Sequence, residues 1–251
     1  MKDDPFGSAR FSVEHAKTHI AQVNTFAKAF FDSKPYSLVT KPDPFYPGYK
    51  LQNLRLTQPL PKNISAFTSD AIKNLRASLD HLGFAVAVAA GKSGSNAHFP
   101  FGDTWAEVQS RRTHRSKHIP DEIFDLMVSF EPYKGSDISL WALNKIGNAN
   151  KHESLVQVVL FAQQMTYESP DFRLTTGPRQ SENGDIPVAW LQPGQSATYQ
   201  NLKVDASIRF NDIDGVKLER PAVALLHTFA DRVTYVIDAV EAKSRLMGLI
   251  A

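Results

Sequence analysis

The chain reads as an α+β protein in which a helical bundle packs with an antiparallel β-sheet and is closed by a C-terminal helix. Three observations predict this. Apolar residues recur at alternating spacings of three and four in two long stretches before residue 91 and one near the end, the signature of helices with one buried stripe. From residue 154 to 213 the texture changes to short apolar or alternating runs split by ENGD, QPGQ and NDIDG, the signature of strands and turns. No internal repeat and no low-complexity linker separates the two textures, so they are expected to share one core. The expected organisation is one domain over 1–251: a helical part at 1–152 with a short β insertion at 36–58, a β part at 154–213 and a closing helix at 220–248.

The elements follow in order. Val13, Ala16, Ile20, Val23, Ala27 and Phe30 place one stripe on a helix over about 11–33. After Pro35, SLVT and KLQNLRL read as two short strands, and the proline-rich PDPFYPG between them predicts a loop rather than a tight hairpin. Ile72, Leu75, Leu79, Leu82, Val86 and Ala89 predict a second helix over 64–90. Beyond Leu82 this helix is apolar nearly all round, which predicts a position in the middle of the packed domain. GKSGSN then ends it at Gly91. Short helices are expected from Asp103 and from Pro120, the latter with proline at its first position and Asp121 and Glu122 complementing the helix dipole. A further helix is expected from Ile138 to about His152. VQVVLF, MTYES, FRLTT, VAWL and the alternating LKVDASIRF read as strands of a mainly antiparallel sheet. Pro221 opens the last helix, where Val223, Leu226, Ala230, Val233, Ile237 and Val240 keep the three-four rhythm.

Composition excludes several function classes. Lys and Arg number 28 against 26 Asp and Glu, so no global field draws the chain to nucleic acid or anionic membrane, and such a partner must be met locally. The absence of cysteine removes disulfides, thiol nucleophiles and Cys-based zinc sites together, and fits a reducing compartment. The segment MKDDPFGSARF carries acids where a signal peptide would carry basic residues. The longest apolar run, LGFAVAVAA, is about half the length that spans a bilayer. A cytoplasmic protein without a membrane partner is expected.

Two motifs fail on their spacing. VAVAAGKSG resembles the end of a phosphate-binding P-loop, but the first glycine of that motif would fall at Val86, and GKS here follows a helix. His15 with His19 and His114 with His118 stand four apart, yet neither pair has an acid placed as a third ligand, and RRTHRSKH repels cations. Neither a metal nor a cofactor is expected.

One constellation survives. NLRASLDHL places Arg76 and Asp80 as an i, i+4 pair on one flank of the buried stripe, with His81 on the other flank. LNKIGNANKHESLV places Asn144, Asn148 and His152 on one helix face, with Lys151 beside them. Gly147 between them costs about 1 kcal/mol of helix propensity, which predicts close approach of another element. Ionisable groups at the edge of a core need partners, so the two segments are expected to meet. The resulting cluster either fixes helix register or forms a site.

LRASLDHL and NANKHESL, with HFPF between them, resemble a widespread group of uncharacterised bacterial and phage-associated proteins, in which a Leu-Arg-x-x-Leu-Asp-His-Leu helix precedes an Asn-x-x-Lys-His segment. The resemblance covers about residues 64–160 and implies no activity. More distantly, Arg76 followed by His81 resembles the Arg-to-His motif of the HEPN superfamily of helical bundles, which includes metal-independent ribonucleases and nucleotide-binding modules. That likeness implies a HEPN-like bundle. It also implies a chemistry in which His81 or His152 takes the proton of a ribose 2′-hydroxyl while Arg76 and Lys151 stabilise the growing phosphate charge. The leading expectation is a non-enzymatic binding or interaction module whose polar cluster, with Asp80, Asn144, Asn148 and Lys151 as ligand-binding residues, holds RNA or a small anionic ligand. The alternative is a ribonuclease with Arg76, His81 and His152 as catalytic residues. A homodimer is the further partner expected.

Overall fold

The computed structural model describes residues 4–136, 138–149, 158–168, 173–176, 185–193, 203–210, 212–216, 218 and 220–250. The first long helix, α1 (Gly7–Asp32), buries Val13, Ala16, Ile20, Val23, Ala27 and Phe30, the stripe that the spacing sets out. Strands β1 (Tyr36–Pro42) and β2 (Lys50–Leu56) pair antiparallel across the 43–49 loop. Helix α2 (Lys62–Ala89) lies along α1 and buries Ile72, Leu75, Leu79, Leu82 and Val86. Ile20, Val23, Ile72, Leu75 and Leu79 have no exposed surface, and each contributes about 1.5–3 kcal/mol relative to a solvated side chain.

The end of α2 is a Schellman motif. Gly91 takes a positive φ of 71°, its N–H donates to the Val88 carbonyl at 3.0 Å, and the Lys92 N–H donates to the Ala87 carbonyl at 2.9 Å. The second half of α2 is not enclosed as its composition predicts: Phe84 and Val88 are 55% and 52% exposed. They face a groove closed by the start of α1 and the end of the last helix, and that groove leaves one side of α2 open to water.

Helix α3 (Trp105–Ser110), a single 3₁₀ turn (Arg111–Thr113) and α4 (Asp121–Ser129) follow. Pro120 is the N-cap of α4, not its first helical residue, and its ψ of 144° is the extended conformation that an N-cap adopts. Pro221 stands in the same relation to the last helix, α6 (Ala222–Leu246). Helix α5 is described over Ile138–Ala149, and the expected continuation to His152, with Lys151, lies outside the described residues.

Among the described residues the strands form two three-stranded antiparallel sheets where one was expected: β1–β2–β5 and β4–β3–β6. VQVVLF and MTYES do not make two strands, because 158–168 run on as one, β3 (Val158–Glu168). It pairs with β4 (Arg173–Thr176) and β6 (Lys203–Phe210). Strand β5 (Asp185–Leu191) leaves that sheet and pairs instead with β2, so the early β insertion and the later β part are joined by backbone hydrogen bonds. Helix α6 packs on α1, α2, α4 and α5, and one contiguous apolar cluster runs from Phe6 through these helices to Ile208 and Phe210 of β6. The result is mixed helix and antiparallel sheet, as the two sequence textures require.

Candidate functional site

The cluster is built on α2. Arg76 and Asp80, one turn apart, form an ion pair with Arg76 Nη1 2.6 Å from Asp80 Oδ2. Arg76 Nε donates to Asn144 Oδ1 of α5 at 3.0 Å, and Asn148 Nδ2 donates to the same oxygen at 3.2 Å. The guanidinium lies over the Phe101 ring, 4.5 Å from its centroid. Arg76 is thus held from three sides, by a carboxylate, an amide and a ring face, and its side chain is only 18% exposed.

Helix α5 is fixed for this task by a second polar knot. Asp103 accepts from Trp141 Nε1 at 3.0 Å and from Lys145 Nζ at 2.7 Å, and Lys145 reaches Asp214 at 3.0 Å. The Lys145 hydrogen bond holds the Asp103 carboxyl below the usual carboxylate range, against the opposing effect of burial and with help from Trp141. The same bond holds the Lys145 ammonium above its ordinary value. With Trp141 buried and Lys145 anchored, the neighbouring flank of α5 presents Asn144 and Asn148 to Arg76.

The other wall comes from 96–101, which lies directly on α2. A Cβ at Gly83 would sit 1.9 Å from the Ala97 carbonyl oxygen, so only glycine lets this segment approach. Its backbone is then paired with the basic run: the His98 N–H donates to the Arg115 carbonyl at 2.9 Å, and the buried Ser116 hydroxyl donates to the His98 carbonyl at 2.7 Å. These bonds bring His98 and Arg115 together. His98 Nδ1 stands 3.4 Å from Asp80 Oδ1, the oxygen that also accepts the Phe99 N–H at 3.3 Å. Arg111 Nε donates to the Phe101 carbonyl at 3.1 Å.

The enclosed space has a volume of about 430 Å³ and is lined by Lys73, Arg76, Asp80, His98, Arg111 and Arg115, with Asn144, Gly147, Asn148 and apolar groups between them. Its electrostatics are unbalanced. Among the described residues Asp80 is the sole acid in the lining and is engaged by Arg76, whereas Lys73, Arg111 and Arg115 have no acid partner.

Arg76, Asp80, Asn144 and Asn148 therefore meet as the sequence predicts. His81 does not join them. It lies on the opposite flank of α2 and lines the separate groove with Phe84, Val88 and residues of α1 and α6, because five residues of helix turn it about 140° from Arg76. The histidine of the cluster is His98, and two of its cations, Arg111 and Arg115, come from RRTHRSKH, the run whose charge argues against a metal in the sequence. The available signal was Gly83, a glycine inside an apolar helix followed fifteen residues later by HFPF. Gly147 packs against the Arg76 stem, but an added Cβ would lie at ordinary contact, 3.5 Å from Arg76 Cγ and 3.7 Å from Ile72 Cγ2.

The remaining histidine pairs stay apart from the cluster. The His15 and His19 rings lie 4.7 Å apart on α1, tilted 54° to each other, and His118 Nδ1 meets the Ser93 carbonyl at 2.9 Å. The described residues hold no group of three metal-ligating side chains, and none of their helices is long and apolar enough to cross a membrane. In comparison with known proteins, the chain matches no family model, no curated protein and no solved structure.

Proposed function

We propose that the chain is a binding module whose α2–α5 pocket captures a small anionic ligand. One observation carries this reading: Lys73, Arg111 and Arg115 border the pocket without an acid partner among the described residues, around an arginine already held in place. Three cations turned toward one concavity repel each other, and an anion between them relieves that repulsion. Arg76 is held by Asp80, Asn144 and Phe101 before any ligand arrives, so little side-chain entropy is lost on binding. Asn148 and His98 add polar groups at the wall.

Calorimetric titration with inorganic phosphate tests the reading. Phosphate is expected to bind, with an affinity that falls as salt rises. A charge-assisted hydrogen bond contributes about 1.5–3 kcal/mol, so Arg115→Ala and Lys73→Ala should each weaken binding by about tenfold or more while leaving the far-ultraviolet circular dichroism unchanged. Phosphate binding that is absent, or equal in wild type and both variants, refutes the proposal.

A second reading is a ribonuclease acting on RNA phosphodiesters without a metal, and the placement of His98 favours it. Its Nδ1 faces Asp80, an orientation that would leave Nε2 to accept the proton of a ribose 2′-hydroxyl. The oxygen so freed attacks phosphorus, the P–O5′ bond breaks, and the proton passes to O5′, leaving a 2′,3′-cyclic phosphate and a 5′-hydroxyl. Arg76 and Arg111 would face the charge that grows on the phosphate. On this reading the purified protein cuts RNA in EDTA, His98→Ala stops cutting, and His81→Ala does not. RNA left intact by the folded wild type disposes of it.

A further inference from the structure

A second site lies far along the chain from the anion pocket, at the end of the β1–β2–β5 sheet. The 43–49 loop and β5 carry Phe45, Tyr46, Tyr49 and Trp190, which are 82%, 63%, 36% and 53% exposed. Aromatic rings left in water on this scale need a reason, since their burial elsewhere would stabilise the fold. The loop backbone and the indole that carry them are tied to one carboxylate. Asp43, only 9% exposed, accepts the N–H groups of Phe45 and Tyr46 through Oδ1 at 2.8 and 3.0 Å, and Trp190 Nε1 through Oδ2 at 2.9 Å. The loop closes on itself through Asp43 N–H to the Tyr49 carbonyl at 2.9 Å and Tyr49 N–H to the Tyr46 carbonyl at 3.1 Å. A near-buried carboxylate thus spends its hydrogen bonds on presenting a group of solvent-exposed rings.

What these rings can recognise follows from which of their edges remain available. The Trp190 N–H is turned inward to Asp43, so Trp190 presents its ring face and not its donor. A proline-rich peptide held by a tryptophan N–H is therefore a poor match. Sugars stacked on aromatic faces need acceptors for their hydroxyls, and both local carboxylates are occupied: Asp43 by three N–H groups, and Asp185 by Arg55 at 2.7 Å and Lys41 at 2.8 Å. The charged residues of 36–56 and 185–193 are Lys41, Lys50 and Arg55 against Asp43 and Asp185, a surplus of one cation. Lys50, exposed at the base of the loop, has no acid partner among the described residues.

We propose that Phe45, Tyr46, Tyr49 and Trp190 form a stacking platform for the unpaired bases of single-stranded nucleic acid, with Lys50 meeting the phosphate backbone. Stacking on ring faces is tolerant of base identity, and a lysine beside the rings gives the salt dependence of phosphate contacts. The site is separate from the anion pocket and does not rest on it.

Fluorescence anisotropy of labelled oligo(U) and oligo(dT), titrated with the full chain at low salt, is the test. Both are expected to bind, and added salt weakens them. Phe45→Ala with Tyr46→Ala, two exposed side chains whose loss leaves the core untouched, should weaken binding at least tenfold. Lys50→Glu should weaken it and reduce the salt slope. Asp43→Ala, which leaves every ring in the sequence but releases the loop, should weaken binding as well, and Arg115→Ala at the anion pocket should leave it unchanged. The proposal is overturned if neither oligonucleotide binds, if the Phe45/Tyr46 double variant binds like wild type, or if only Arg115→Ala abolishes binding.

Discussion

Two glycines, both inside helices and both lining buried surfaces, behave differently because of what stands opposite each. Gly83 faces a backbone carbonyl that cannot move without breaking the pairing of 96–98 with 115–118. Gly83→Ala is therefore expected to destabilise the protein by about 1–3 kcal/mol and to displace His98 from Asp80. Gly147 faces the stem of a flexible side chain at ordinary contact distance, so Gly147→Ala should be neutral or stabilising by up to about 1 kcal/mol through helix propensity. Thermal melts of the two single variants check this, and equal effects would contradict the geometry. Both glycines break the same propensity rule in sequence, and the neighbour that distinguishes them is distant along the chain.

At the scale of an element, α3 is six residues long and too short to be stable by propensity. It is held at its start by a reciprocal cap: the Thr104 hydroxyl accepts the Glu107 N–H at 3.2 Å, and the Glu107 carboxylate accepts the Asp103 N–H at 2.9 Å. The helix leads directly into the 3₁₀ turn that places Arg111 at the pocket. Thr104→Ala is expected to cost about 1 kcal/mol in a chemical-denaturation experiment. It should also weaken phosphate binding, since the cap orients the helix that carries Arg111, and a loss of stability with unchanged phosphate affinity would separate the two roles. The end of α2 at Gly91 was legible in the sequence because a cap is a local arrangement of residues. The open face of α2 at Phe84 and Val88 was not, because composition reports how apolar a helix is and not which neighbours cover it.

The whole molecule carries a pH dependence traceable to the pairing of β2 with β5. Arg55 and Lys41 hold the Asp185 carboxyl well below the ordinary aspartate value. A carboxylate depressed in the native state contributes stability that is fully present above its unfolded value, near pH 3.9, and is lost as pH falls towards the lower native value. Asp185 pairs the early insertion with the later strand through Arg55, so this loss acts on the contact that joins two distant parts of the chain. The melting temperature of the wild type is expected to fall more steeply between about pH 5 and pH 2 than that of Asp185→Asn. Parallel acid limbs in the two proteins would exclude this assignment.

By itself the sequence determined the three long helices and their buried stripes, the change to strands after residue 154, and the meeting of Arg76 and Asp80 with Asn144 and Asn148. Each depends on a periodicity or on the rule that charge at a core boundary must be paired, and both are written within one segment or between two. Only the tertiary structure decided that β5 joins β2 to make two sheets, that His98 stands where His81 was expected, and that the RRTHRSKH run lines a pocket. Those outcomes depend on which backbone groups pair across long stretches of chain, and hydrogen-bonding capacity is the same for nearly every residue, so no residue type announces its partner.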